Sequence, residues 1–316
     1  MFLRSISRSL VPFWSRPGRS AALVACCGLV LLAAGCGSGG DTSPVTASAS
    51  ATTQTTGGSV TIGTSRVETF AITRNDSGQI TEVGFTIPAA LVALPPAPIT
   101  GGRARSCCDF GTLFAHTKSF KTRAEATVPA PSSTDTYTPG PLGAFVSLPF
   151  PEAVQRETFL NHLELHWNPS GHEPERYGVP HFDFHFYGVP ESEVRGVVPP
   201  ETQAPAPERV PDTYAYPGVE AIVPQMGVHA IDRSEFAPGA APFGATMILG
   251  YWHGQMTFVE PMITQELLLR KEPIALTIPK PTVLGRTTRY PTQFTAVYDA
   301  TRETYVCTLS EFVDAQ

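Results

Sequence analysis

The sequence predicts a mainly β protein: an antiparallel sheet sandwich or barrel-like single domain with few short helices, set behind a signal peptide and a flexible linker. Three observations lead there. The 316 residues include 31 prolines, about twice the roughly 5% share of ordinary chains. With only 16% charged residues as well, long helices and coiled coils are disfavoured. Short apolar runs with partial period-two alternation recur from Arg66 to Leu309, several of them separated by turn residues. The length accommodates one or two domains, and the composition excludes a multipass membrane protein.

The first 35 residues carry Arg4, Arg8, Arg16 and Arg19 and no acidic residue; the apolar run Ala21 to Ala34 follows the arginines. That run is shorter than the ~20 residues of a membrane-spanning helix and suits a signal h-region, so residues 1–35 read as a signal peptide. Its end, Leu31-Leu32-Ala33-Ala34-Gly35-Cys36, resembles the lipobox of bacterial lipoproteins, with Ala33 where Leu is commoner. The resemblance implies that Cys36 becomes a lipidated first residue, tying an extracytoplasmic protein to a membrane of the bacterial cell envelope. An ordinary signal peptide cut elsewhere and a retained N-terminal anchor are the alternatives. Residues 36–59 are mostly Gly, Ser, Thr and Ala, which reads as a flexible linker spanning about 25–30 Å as a random coil.

Taking the four early arginines from 22 basic residues leaves 18 against 28 acidic, a net charge of −10. Such a surface repels phosphate backbones, so nucleic acid is not expected as a partner. Cys107, Cys108 and Cys307 remain in the globular part, an odd number for an oxidising compartment. Pairing of Cys307 with Cys107 or Cys108 and buried thiols are both open.

In the domain expected over residues 60–316, Val67, Phe70 and Ile72 and then Ile80, Val83, Phe85 and Ile87 flank Asn75-Asp76-Ser77-Gly78, a hairpin at turn spacing. Ala89 to Leu94 can form a helical turn before Pro95-Pro96, and Pro129 to Pro141 is a surface connection. Strands are expected at Gly143–Leu148, Thr158–Trp167, His181–Tyr187, Ala245–Tyr251, Gln255–Val259, Gln293–Asp299 and Glu303–Leu309. Turns at His253-Gly254 and Ala300-Thr301-Arg302 join the last four in pairs. Pro190 to Pro217 reads as an irregular surface wrap or lid, and Thr264 to Lys271 as a helix.

The histidines are unevenly placed. Five of the eight, His162, His166, His172, His181 and His185, fall in one short stretch. His162-Leu-Glu164-Leu-His166-Trp is echoed by His181-Phe-Asp183-Phe-His185-Phe, polar on one strand face and large apolar on the other. Antiparallel pairing across the Asn168-Pro169-Ser170-Gly171 turn sets the polar ladders side by side. Imidazole and carboxylate at this density suit a transition metal such as Zn, Fe, Mn, Ni or Cu. At ~3.3 Å per residue, ligands at i and i+2 can converge on one ion while those at i and i+4 strain to meet. His181 and His185 therefore do not both reach a single ion easily on a straight strand. The candidate ligands are His172, His181, Asp183, His185, His229 and Glu260. Asp183 is a candidate base and Tyr187 or Tyr251 a candidate acid, but no spacing selects a reaction. The metal-free alternative is a hydrogen-bonded ladder on a wet sheet face.

Trp167-Asn168-Pro169-x-Gly171-His172-Glu173-Pro174, Pro180-His181-Phe182-Asp183-Phe184-His185-Phe186-Tyr187, Met226-Gly227-Val228-His229 and Glu260-Pro261-Met262-Ile263-Thr264 resemble the TTHB-type domain family, exported bacterial hypothetical proteins of unknown function. The resemblance covers most of residues 60–270. It implies a mostly β domain and admits homo-oligomers. Ala230 stands where that family commonly has Trp, and His166 where it often has an apolar residue, which leaves His166 outside a shared ligand set. The resemblance brings no activity with it.

The expectation is an exported lipoprotein that binds a transition metal or small-molecule ligand through its His-rich strand face. The alternatives are a metal-dependent enzyme of cupin-like type and a metal-free envelope interaction module.

Overall fold

The computed structural model describes residues 51–96 and 144–316. Residues 1–50, and with them the signal segment and Cys36, lie outside the described residues, as do Cys107, Cys108 and the stretch from Pro129 to Pro141. In chain order the strands are β1 (Thr52–Ile62), β2 (Ser65–Arg74), β3 (Ile80–Pro88), β4 (Ala144–Pro149), β5 (His162–Asn168), β6 (His181–Tyr187), β7 (Tyr214–Ala215) and β8 (Ile222–Val223). They continue with β9 (Gly227–Asp232), β10 (Ala245–Trp252), β11 (Gln255–Thr264), β12 (Ile274–Thr277), β13 (Thr288–Tyr290), β14 (Gln293–Asp299), β15 (Thr304–Ser310) and β16 (Val313–Ala315). Among the described residues the α-helices are short: α1 (Ala89–Ala93), α2 (Glu152–Glu157), α3 (Glu191–Arg195) and α4 (Gln265–Leu269).

The strands pair antiparallel into two large sheets, one ordered β1-β2-β3-β15-β14-β12 and the other β4-β5-β6-β11-β10-β9-β7, with β8 also on β9. Neither closes on itself among the described residues, so the sandwich is formed and the barrel is not. The alternation in β5 and β6 sends Leu163, Leu165, Phe182, Phe184 and Phe186 into the core between the sheets. There Phe85 of β3 meets Phe184 at 5.1 Å and Phe186 at 5.8 Å between ring centroids. Each such ring, taken from water, contributes about 1.5–3 kcal/mol, which fixes which face of the second sheet points inward.

Several boundaries move. β1 begins at Thr52, inside the stretch read as linker, and pairs with β2 from Thr52↔Arg74 to Ile62↔Ser65. Its side chains are mostly exposed, so an edge strand of Thr and Ser forms on backbone pairing where composition alone suggests a tether. β5 starts at His162 rather than Thr158 because α2 occupies Glu152–Glu157 and Thr158 closes it, its Oγ1 donating to the Val154 carbonyl. β11 runs on to Thr264 through Pro261, with the same register against β6 on both sides of the proline. α4 then starts after Thr264, whose Oγ1 accepts from the Leu267 amide. The 190–217 stretch is a surface wrap containing α3 and β7, and Cys307 is buried in the core with no disulfide partner among the described residues.

One close approach requires glycine. A Cβ on Gly250 of β10 would lie 1.9–2.2 Å from the Phe258 ring. Gly250→Ala is expected to cost about 3 kcal/mol by overpacking, read as a lowered urea midpoint; a change below about 1 kcal/mol would mean that the ring withdraws without consequence.

Candidate metal centre

The β5–β6 register sets His162, Glu164, His166 and Asn168 opposite Tyr187, His185, Asp183 and His181. This is the side-by-side arrangement expected from the alternation. The polar face is not wet, however. His162, Glu164, His166, His172, His181, Asp183, His185, His229 and Glu260 are all buried. A second apolar cluster, running from Tyr177 of the β5–β6 loop through Val194 of α3 to Met226, Ile248 and Phe258, packs beside them.

The six candidate ligands divide into two triads. In each, one ligand atom per residue lies within 4.8 Å of the others. The first comprises His172, from the β5–β6 loop, with His181 and Asp183 of β6. His181 Nε2 is 3.1 Å from Asp183 Oδ1, and His172 Nε2 is 3.7 Å from Oδ2. Both imidazoles are oriented from behind: His172 Nδ1 lies 2.7 Å from the Glu173 carbonyl and His181 Nδ1 lies 2.7 Å from that of Val179. A carbonyl only accepts, so each Nδ1 carries a proton, and in the neutral ring Nε2 presents its lone pair to the carboxylate. Asn168 Nδ2 donates to Asp183 Oδ2 at 2.7 Å. The loop that delivers His172 turns at Gly171, with φ +63°; a Cβ there would lie 2.1 Å from the Tyr177 carbonyl oxygen.

The second triad is built across the sheet. His185 of β6 has Nε2 3.5 Å from Glu260 Oε1 of β11, and His229 of β9 has Nε2 3.6 Å from Glu260 Oε2. β10 lies between β9 and β11, and Gly250 pairs with His229 and with Phe258. With no side chain at Gly250, the Phe258 ring packs 4.9 Å from His185 and 5.1 Å from His229 between centroids. His181 and His185 thus belong to different triads, as the i, i+4 spacing requires.

Separations of 3.5–3.7 Å are too long for N–H···O hydrogen bonds. Two ligands held ~2.1 Å from one tetrahedral ion lie about 3.4 Å apart. These separations are compatible with a shared cation, while the 3.1 Å between His181 and Asp183 also suits a hydrogen bond; the His/carboxylate composition of each triad could hold a metal ion.

Burial acts on this face in both directions. It pushes the Asp183 carboxyl up, but His181 and His172 beside it prevail and hold it well below the ordinary aspartate value. Burial also opposes ionisation of Glu164, and His162 and His166 reverse that, leaving its carboxyl below the usual glutamate range. For His185, burial first and then the neighbouring His166 keep the imidazole well below the ordinary histidine value, hence neutral.

Tyr187 lies on this face, stacked 5.6 Å from His185. Tyr251 does not: its ring packs in the inter-sheet core and its hydroxyl donates to the Arg209 carbonyl, so it is no acid for either triad. Asn168, read only as a turn residue, holds Asp183. Its signal was the period-two continuation of His162, Glu164 and His166.

Comparison with family models, with curated proteins and with solved structures finds no match to this chain.

Proposed function

We propose that this chain is an extracytoplasmic lipoprotein, anchored through Cys36, that binds divalent transition ions, one in each buried triad. The observation that carries the reading is the pair of Nδ1 contacts to the Glu173 and Val179 carbonyls. They turn both Nε2 atoms toward one buried carboxylate, the orientation in which a neutral imidazole offers its lone pair to a cation beside that carboxylate. Mixed nitrogen and oxygen ligands suit Zn, Fe, Mn, Ni or Cu. A hollow of about 360 Å³ lined by Glu175, Arg176, Val179, Pro242 and Phe243 approaches the first triad, with the Phe243 ring 5.4 Å from His181. Three protein ligands leave a tetrahedral ion one open position, which favours a metal-dependent enzyme as the second reading.

The test is elemental analysis of protein taken from membranes in detergent, loaded with Zn(II) and freed of excess metal. His181→Ala/His185→Ala is expected to hold two equivalents fewer than the wild type, and Cys36→Ala to leave the membrane fraction. Equal metal in wild type and double variant would defeat the reading.

A further inference from the structure

All three ligands of the second triad are buried, so an ion passes to or from them only when a covering element moves. The inter-sheet core closes the opposite face. On the triad's own face, the residues two positions away along each strand belong to one apolar cluster: Tyr187 beside His185, Ile231 beside His229, and Phe258 and Met262 beside Glu260. Tyr177, Val194 and Met226 join that cluster from outside the strands. Tyr177 is tied through its hydroxyl to Glu235, and Met226 through its amide to the Val223 carbonyl next to β9.

Val194 is carried by the surface wrap, which is more lightly anchored. Between Pro190 and Val210 the buried residues are Val194, Val197 and Glu201. α3 has five residues, too few to be stable by itself, so its place depends on these anchors. The Val197 carbonyl accepts from the Gln225 amide at 2.7 Å. Glu201 makes the strongest tie. Its Oε1 accepts from the Thr202 and Gln203 amides at 2.6 and 2.7 Å, and its Oε2 from the His253 amide at 2.6 Å. The carboxylate thereby pins the wrap to the turn between β10 and β11, the hairpin whose second strand carries Glu260.

We propose that residues 190–200 are the lid of the second triad and Glu201 is its latch. When the latch opens, α3 draws Val194 off the face, and a divalent ion can pass to or from His185, His229 and Glu260. The proposal rests on the reading of that triad as a metal site. Opening breaks few contacts and leaves both sheets paired, which is the pattern of a local rather than a global unfolding step. The first triad does not share this route, since the hollow beside it is lined by Glu175, Arg176, Val179, Pro242 and Phe243, none of them from the wrap.

The experiment follows release of Zn(II) from the loaded full chain into a colorimetric chelator. Asp183→Asn isolates the second triad and Glu260→Gln the first, and Glu201→Gln is then added to each. Glutamine keeps the shape of the side chain but has one acceptor oxygen in place of two, so it cannot serve all three amides. Release from the second triad is expected to become about tenfold faster, with release from the first unchanged. No acceleration at the second triad, or the same acceleration at both, would overturn the lid and leave the triads standing. No bound Zn(II) in the wild type would overturn both. Should circular dichroism show that Glu201→Gln does not fold, Val194→Ala removes the lid's apolar anchor and carries the same expectations and the same overturning results.

Discussion

Asp183→Asn is expected to remove the metal-linked stability of the first triad. Binding to the native state alone stabilises it by about 4 kcal/mol when free metal stands a thousandfold above Kd, which for a domain of this size is roughly 10 °C in Tm. The informative quantity is the fall in Tm on adding chelator, measured in each chain separately. In the wild type that fall includes the share of the first triad; in Asp183→Asn it should be smaller by that share. The metal-free variant will also melt below the metal-free wild type, because the ionised carboxylate is held by His181 and His172. That second loss is common to any role for Asp183. A chelator-sensitive fall identical in the two chains would show that Asp183 holds no ion.

Acid is expected to destabilise the metal-free chain over a wide range, beginning earlier than carboxylates alone would allow. The His185 imidazole is held well below its usual value in the folded chain by burial. The unfolded chain accepts that proton near pH 6.5, so below about 6.5 it binds more protons than the folded one and stability falls with pH. For Asp183 and Glu164 the folded values are also lowered. Their stabilisation is present above the unfolded values, about 3.9 and about 4.3, and is lost as pH falls from there toward the lower folded values. The three groups act in one direction. Melting of chelated protein at pH 7.5, 6.0 and 4.5 should show a loss already at 6.0 that steepens by 4.5. In His185→Gln the loss between 7.5 and 6.0 should shrink. A flat profile from 7.5 to 4.5 would contradict the buried, neutral state of His185. Metal should raise stability at every pH where it stays bound but make the decline on acidification steeper, since ligand imidazoles must lose protons to bind.

The ladder of β5 and β6 was legible because a single observable, alternation, determines both which residues share a face and which face is apolar. The same spacing argument separates His181 from His185; it does not reach His172, His229 or Glu260, which enter as metal-ligating residue types in a loop or farther along the chain. The assignment to triads was not legible, because His229 reaches Glu260 only across β10, a neighbour that no local pattern reveals. Burial of the polar face was also hidden. It arises from Tyr177, Val194 and Met226, which come from loops and a short helix without periodicity. Pro261 cut the reading of β11 short, since proline argues against a central strand, yet the ladder resumes in register beyond it. β1 was missed for the opposite reason: its exposed Thr-rich edge lacks the apolar alternation by which a strand is recognised.

The two triads differ in how much of the chain must be assembled before they exist. His172, His181, Asp183, Asn168 and both orienting carbonyls fall within the β5–β6 hairpin, whose contacts are local and close at little loop entropy. His185, His229 and Glu260 come together only after β6, β9, β10 and β11 have docked. If each triad takes an ion, the first can be complete while the sheet is still unfinished, and the second only once the sheet is assembled.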